Sequence, residues 1–323
     1  DAASDVRFEM SQSIADFRIR SMMCAPLLDV TGKSFGALQI DTMDQRSRFQ
    51  PDDLEVLASV AGQAAVAIVN AQLHEAALRQ REIERDLELA QAVQTGFLPD
   101  QPPMLSGYQF FNFYRAANHV GGDYYDYIEL PDGRVVVVVA DVVGHGVAAA
   151  LLMVKLAAEV RIALATGVHA AQAVTILNSR LSSEMLSDRF ITLVLVVLDP
   201  GKESVTIVNA GHMAPMIRRK DGTIQEFGEE KAGIPLAIDD SFEYEQVMTT
   251  LQSGDLVALY TDGINEAMND AGDQYSIERM QRMIEAGDRG PEMIGSAVIA
   301  DVERFVGKQP QNDDMCLVCV GRD

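Results

Sequence analysis

The chain has no tryptophan and only three cysteines among 323 residues, and its 26 Lys and Arg are outnumbered by 48 Asp and Glu. Three thiols cannot build a disulfide framework. Cys316 and Cys319 have C-x-x-C spacing, but Leu317, Val318 and Val320 around them read as a buried strand, so a structural role is expected rather than a redox or zinc pair. The formal net charge of -22 repels phosphate backbones and anionic lipid, so neither nucleic acid nor membrane is an expected partner. A phosphorylated ligand stays compatible where metal ions reverse the local sign. Nothing reads as a signal peptide or as an apolar run long enough to span a bilayer, so a cytoplasmic location is expected. At 48% hydrophobic and 23% charged, the chain is globular in composition and long enough for two domains.

Residues 21–28 form one apolar run, Asp29-Val30-Thr31-Gly32-Lys33 supplies a turn, and residues 35–40 form a second strand. Pro51, Asp52 and Asp53 open a helix that continues through an alanine-rich stretch to Ile68. Two strands and one helix cannot bury a core alone, and the chain begins abruptly at Asp1 without Met, so residues upstream are expected. Strand pair and helix together resemble the C-terminal half of a GAF domain, an α/β sensor fold, here expected over residues 1–70.

The helical pattern continues over residues 71–98 until Pro99, Pro102 and Pro103 stop it. Val66, Leu73, Gln80, Leu87 and Gln94 share one heptad seam position; Val69, Ala76, Ile83, Ala90 and Phe97 share the other, with charged residues between. The spacing is coiled-coil-like, and a second copy of the chain is the expected partner. A single amphipathic helix packed on its own domain is the alternative.

From Tyr108 onward strands and paired helices alternate. Strands are expected at 109–115, 123–130, 134–141, 190–198, 204–209, 216–219, 223–227, 244–249, 255–260 and 314–320. Helices are expected at 148–165, 170–185, 276–286 and 291–306. Hairpin turns such as Pro131-Asp132-Gly133 favour antiparallel sheets with helices outside.

Aspartates recur at strand ends. Asp123 follows Gly121-Gly122, Asp141 ends the run Val135 to Ala140, Asp262 follows Leu256 to Thr261, and Asp313-Asp314 open the last strand. Any one of them reads as a solvated turn residue. The set reads as an oxygen-donor site for Mg²⁺ or Mn²⁺, because gathered carboxylates repel one another unless a cation compensates them. Two such ions about 3.5–4 Å apart can activate a water toward phosphorus. No protein nucleophile is evident.

Gly121-Gly122-Asp123-Tyr124-Tyr125-Asp126, Ala140 to Gly146, Asn209-Ala210-Gly211-His212, Tyr260 to Ile264 and Asn312-Asp313-Asp314-Met315 occur in this order. Together they resemble the metal-dependent protein phosphatases of type 2C, in their sporulation stage II protein E-like branch, over residues 99–323. The resemblance implies an α+β fold, an α-β-β-α sandwich of two antiparallel sheets with two Mn²⁺ or Mg²⁺ ions between them. It implies Asp141 as the bridging carboxylate, the main-chain carbonyl of Val142, Asp262 and Asp313 as further ligands, and Asp123 as a ligand or water-holding acid. It also implies hydrolysis of phosphoserine or phosphothreonine on a bacterial regulatory protein such as an anti-sigma-factor antagonist, under control of the sensor. Cys316, where the branch usually has Thr, and Val143, where it has a small hydroxyl residue, depart from the pattern. His145 could approach substrate or only stabilise its turn, and His212 could be a general acid or structural. A silent, partner-binding scaffold and a small-molecule phosphohydrolase remain alternatives at this point.

Overall fold

The computed structural model describes residues 19, 21–44, 48–183, 189–287 and 290–323. The chain divides into two compact units, Asp1–Asp86 and Leu87–Asp323. The residues before Ile19 and the expected helix end at Met185 lie outside the described residues.

In the first unit, β1 (Ser21–Leu28) and β2 (Ser34–Thr42) form an antiparallel hairpin. Asp29 closes its turn by accepting from the backbone N–H groups of Thr31 and Lys33 and from the Thr31 hydroxyl. Ala25 packs with Leu57 and Ala61 of helix α1 (Pro51–Thr95). Asp52 and Asp53 in the first turn complement the helix dipole. Helix α1 carries an 18-residue window long and apolar enough, by composition, to cross a membrane. That corrects the sequence reading that no such run exists: Ala, Val and Leu dominate there although Gln63 and Asn70 interrupt them.

The heptad seam also needs correction. Val66, Leu73 and Ile83 are exposed, whereas Leu87 and Ala90 are half-buried and Gln94 is 5% exposed. From Leu87 on, the last turns of α1 belong to the second unit, and there Gln94 bonds the Gly121 backbone. Gln94, polar at a seam position, is the residue that marks this change.

The second unit is a four-layer sandwich, as expected. Its strands are β3 (Tyr108–Arg115), β4 (Tyr124–Glu129), β5 (Val135–Val142), β6 (Ile191–Asp199), β7 (Ser204–Ala210), β8 (Met216–Arg218), β9 (Ile224–Glu226), β10 (Val247–Thr250), β11 (Leu256–Tyr260) and β12 (Met315–Arg322). One sheet has the order β10-β7-β6-β5-β4 and the other β3-β12-β11-β8-β9, with every pairing antiparallel. Helices α2 (Val147–Ala165) and α3 (Ala170–Ser182) pack on the first sheet. After the one-turn α4 (Asp262–Asn265), helices α5 (Ile277–Ala286) and α6 (Pro291–Val306) cover the second.

Side-chain alternation explains the layers. Val257 and Leu259 of β11, with Cys316, Val318 and Val320 of β12, belong to the core shared with the first sheet. Leu256, Ala258 and Tyr260, with Met315, Leu317 and Cys319, belong to the core under α5 and α6. Cys316 and Cys319 therefore point to opposite faces of β12, as residues three apart on a strand must, and cannot form one site. The valine run of β5 is buried along its whole length, because α2 and α3 cover one face and the second sheet the other.

Candidate metal centre

Register brings the acids together. In the β4–β5 hairpin Tyr124 faces Ala140, so the next pair outward is Asp123 and Asp141. Asp141 faces Thr192 of β6. In the second sheet Tyr260 faces Leu317, and Thr261 N–H bonds the Cys316 carbonyl, which leaves Asp262 and the Asp313-Asp314 pair at the same end. Thr261 ties the two sheets there through its side chain. The Thr261 hydroxyl donates to Asp123 Oδ2 at 2.6 Å and accepts from Cys316 N–H at 2.9 Å.

The electrostatics follow from burial and crowding. Asp123 is 1% exposed, and burial followed by the Asp141 charge pushes its carboxyl well above the usual range. Asp141 is pushed up to about 7, first by burial and then by Asp262, Asp313 and Asp314. Asp262 is pushed up to about 6 by burial, Asp313 and Glu266. No cation is among the main causes for these three, or for Asp314, which is also raised by burial. A cluster of oxygen donors with no cation among its main influences is the donor chemistry of a hard divalent ion. Among the described residues, no three acidic, His or Cys side chains are drawn closely enough to hold an ion by themselves. The main-chain carbonyl of Val142 lies beside Gly122, where an added Cβ would stand 2.9 Å from it. A cavity of about 250 Å³ is lined by Asp141, Asp262, Thr192, His212, Asn265 and Glu266, among others.

Four further residues build this region, of which Asp314 and Gln94 were named from the sequence without the part they play here. Asp314, rather than its exposed neighbour Asp313, is buried and accepts from Gly122 N–H at 2.6 Å and Ala117 N–H at 2.7 Å. A Cβ on Gly121 would stand 2.5 Å from Asp314 Oδ2 and 2.6 Å from the Tyr114 hydroxyl, so the glycine is a steric requirement. Thr261 is the second, and its hydroxyl next to an aspartate was the available signal. Gln94 is the third: its side-chain oxygen accepts from Gly121 N–H at 3.1 Å while its amide nitrogen donates to Gly121 O at 2.5 Å. The last turn of α1 thus grips the loop that carries Asp123. Arg189 is the fourth, bonded to the Val143 carbonyl at 2.7 Å.

Other singled-out residues lie elsewhere or do other work. Asp126 is fully buried and paired with Arg161 at 2.7 Å, and it accepts from the Tyr124 hydroxyl, away from the acid cluster. His145 lies exposed in the turn after β5. His212 is buried, with Nδ1 2.8 Å from the Thr192 hydroxyl and Nε2 3.0 Å from the Tyr260 carbonyl. A carbonyl only accepts, so Nε2 carries the proton and Nδ1 accepts from Thr192. Burial holds this imidazole down to about 4, with the Tyr260 bond opposing weakly. Both nitrogens are engaged, which makes His212 a neutral strut between the sheets.

The family model for stage II sporulation protein E matches residues 131–323, and that for the GAF domain matches residues 2–68. The phosphoserine phosphatase RsbU of Bacillus subtilis is 28% identical over 209 residues, 64% of this chain and 61% of its own. The phosphoserine phosphatase RsbP of the same organism is 25% identical over 185 residues, 56% of this chain and 45% of its own. The chain thus spans about half to three-fifths of these relatives' length. Among solved structures, the SiaA PP2C domain of Pseudomonas aeruginosa superposes with a TM-score of 0.66 at 23% identity, covering 76% of this chain and 99% of that one. The PP2C phosphatase domain of SpoIIE from Bacillus subtilis, solved with a fragment of its regulatory domain, gives 0.59 at 24% identity, covering 67% and 63%. These two establish the fold.

Two outcomes test the geometry. Gln94→Ala leaves both backbone groups of Gly121 without their buried partner, a cost of about 1–3 kcal/mol. Amide exchange at Gly121 should then speed up roughly ten- to a hundredfold; unchanged protection would mean the bond holds nothing. For His212, the folded value lies below the unfolded one, so its contribution is full above about pH 6.5 and is lost as pH falls toward 4. Urea unfolding of wild type should therefore lose up to about 3 kcal/mol more than His212→Gln over that interval. Parallel profiles for the two proteins would contradict the assignment.

Proposed function

The chain belongs to the stage II sporulation protein E family, and from that premise we propose that it is a metal-dependent serine/threonine protein phosphatase under control of its N-terminal unit. The observation that carries the reading is the gathering of Asp123, Asp141 and Asp262 from two sheets, with Asp313 among the charges acting on Asp141 and Asp262 and no cation among the main causes of their shifts. The likeness to two phosphoserine phosphatases supports the same activity.

In this reading Asp141, the Val142 carbonyl, Asp262 and Asp313 hold two Mn²⁺ or Mg²⁺ ions, with Asp123 beside them as ligand or water-holding acid. Bound there, the ions supply charge neutralisation for the phosphoryl oxygens and acidify a water for in-line attack. The chain's own residues do the positioning. Thr261 fixes the Asp123 carboxylate through its hydroxyl. Asp314 fixes the Gly121-Gly122 backbone through the Gly122 and Ala117 N–H groups. His212 keeps Thr192 oriented at the cavity wall.

The substrate in this reading is a phosphorylated bacterial regulatory protein, such as an anti-sigma-factor antagonist, in the cytoplasm. The domain limits follow the sequence reading: a partial sensor over 1–70, a connector over 71–98 and the phosphatase from 99 on. The connector pairs with a second copy through its exposed apolar residues Leu73 and Ile83. Hydrogen bonding between Gln94 and Gly121 gives the helix a direct mechanical hold on the loop before Asp123.

Two measurements test this. With excess Mn²⁺ the wild type should release phosphate from a phosphoserine peptide, and Asp141→Asn and Asp262→Asn should each lower kcat by at least about a hundredfold, the scale of losing a transition-state electrostatic contact. Wild type and variants equally inactive would favour the silent scaffold. Light scattering should report a dimer for wild type and a monomer for Leu73→Glu/Ile83→Glu; a wild-type monomer at all concentrations removes the pairing.

A further inference from the structure

Arg189 stands just before β6, at the end of the first sheet where the acids gather. The β5–β6 register sets Thr192 opposite Asp141 and Ile191 opposite Val142. One step further, the Phe190 carbonyl accepts from Val143 N–H at 3.1 Å. Arg189 is next, and its Nη1 donates to the Val143 carbonyl at 2.7 Å. That carbonyl follows directly on the one expected to face a metal ion. The guanidinium lies against Gly144, whose φ is +93° and where any Cβ would collide with Nη1. A side chain at 144 would be both strained and in the way.

What this cation is for does not follow from its one hydrogen bond. A guanidinium has five N–H donors in a planar fork. Among the described residues Arg189 has no carboxylate partner, although the protein carries an excess of acids. Nor is it among the main influences on the aspartates, whose shifts come chiefly from burial and from neighbouring acids. It is half-buried, so its aliphatic stem is packed while part of the head stays accessible. A half-buried guanidinium without an acid, held beside a candidate phosphoryl-transfer site, has the chemistry of an oxyanion receptor. Paired N–H donors match two oxygens of a phosphate monoester.

We propose that Arg189 binds the phosphoryl group of the substrate, as a recognition element separate from the aspartate cluster, and that Gly144 is required so that the guanidinium can lie on the turn. The proposal rests on the phosphatase reading. The competing account is that Arg189 only staples the turn through the Val143 carbonyl.

The test uses the full chain loaded with Mn²⁺, as wild type, R189Q and R189K. R189Q keeps a neutral N–H donor and removes the charge; R189K keeps the charge and removes the fork. Calorimetry reads the Kd for inorganic phosphate, steady-state kinetics reads KM and kcat for a phosphoserine peptide, and thermal unfolding reads the fold. R189Q should weaken phosphate binding and raise KM by roughly ten- to a hundredfold, the scale of a charge-assisted pair, with the Tm of wild type. R189K should fall between the two. Phosphate affinity and KM in R189Q within about twofold of wild type overturns the proposal, as does a loss seen only together with a lowered Tm. If R189Q does not fold, R189K decides alone: wild-type phosphate affinity there refutes a forked contact. A wild type that neither binds phosphate nor hydrolyses the peptide sinks the phosphatase reading itself, and is thereby distinguished from failure of Arg189.

Discussion

Like charges buried together set the terms for the larger unit. Asp123, Asp141 and Asp262 are raised by burial and by acidic neighbours, and no Lys or Arg is among the strongest influences on them. Such a cluster is unfavourable unless protonated or compensated, and folding alone offers no reason to assemble it. The surrounding architecture absorbs that repulsion. Asp141 closes a strand, and Asp262 follows one, whose other residues are apolar and buried, so the valine run of β5 and the apolar run of β11 hold these aspartates in register. The stabilisation from the cores is spread over the two sheets and the helices, while the cost is concentrated at one end.

Small polar contacts then decide the shape of that end. Thr261 bridges the two sheets by donating to Asp123 and accepting from the backbone of β12. Asp314 fastens the Gly121-Gly122 loop through two backbone donors, close enough that only glycine fits at 121. Gln94 grips the same loop from the end of α1. A helix that reaches the site through two hydrogen bonds to one glycine can change the loop without touching a carboxylate.

Much of this was legible in the residues. Apolar runs ending in aspartate, the Pro-Asp-Gly turn and the alternation along β11 and β12 give the two-sheet sandwich, because a strand buried on both sides has to read that way. Boundaries shifted by one to three residues where the chain leaves a sheet, as at Tyr244, whose buried hydroxyl bonds the Ile234 carbonyl outside any strand. The heptad count went wrong in its last turns because periodicity locates a face without saying what covers it; Leu87, Ala90 and Gln94 face their own unit. The different surroundings of Asp313 and Asp314 were hidden for the same reason. Adjacent acids look alike in sequence, and only the backbone donors of Ala117 and Gly122 separate the exposed one from the buried one.

The sequence alone determined the element order, the fold class and the identity of the strand-end acids, since these depend on local pattern and on short spacings. Tertiary structure decided the rest: that residues as distant as 94, 121, 261 and 314 meet around Asp123, that His212 spends both nitrogens on structure, and that Arg189 stands by the turn after Asp141 without a carboxylate partner among the described residues. Register between strands and the packing of one sheet on another bring those groups within hydrogen-bonding distance. Neither can be read from residues that lie far apart along the chain, because closing those distances depends on the summed burial of the whole unit rather than on any local preference.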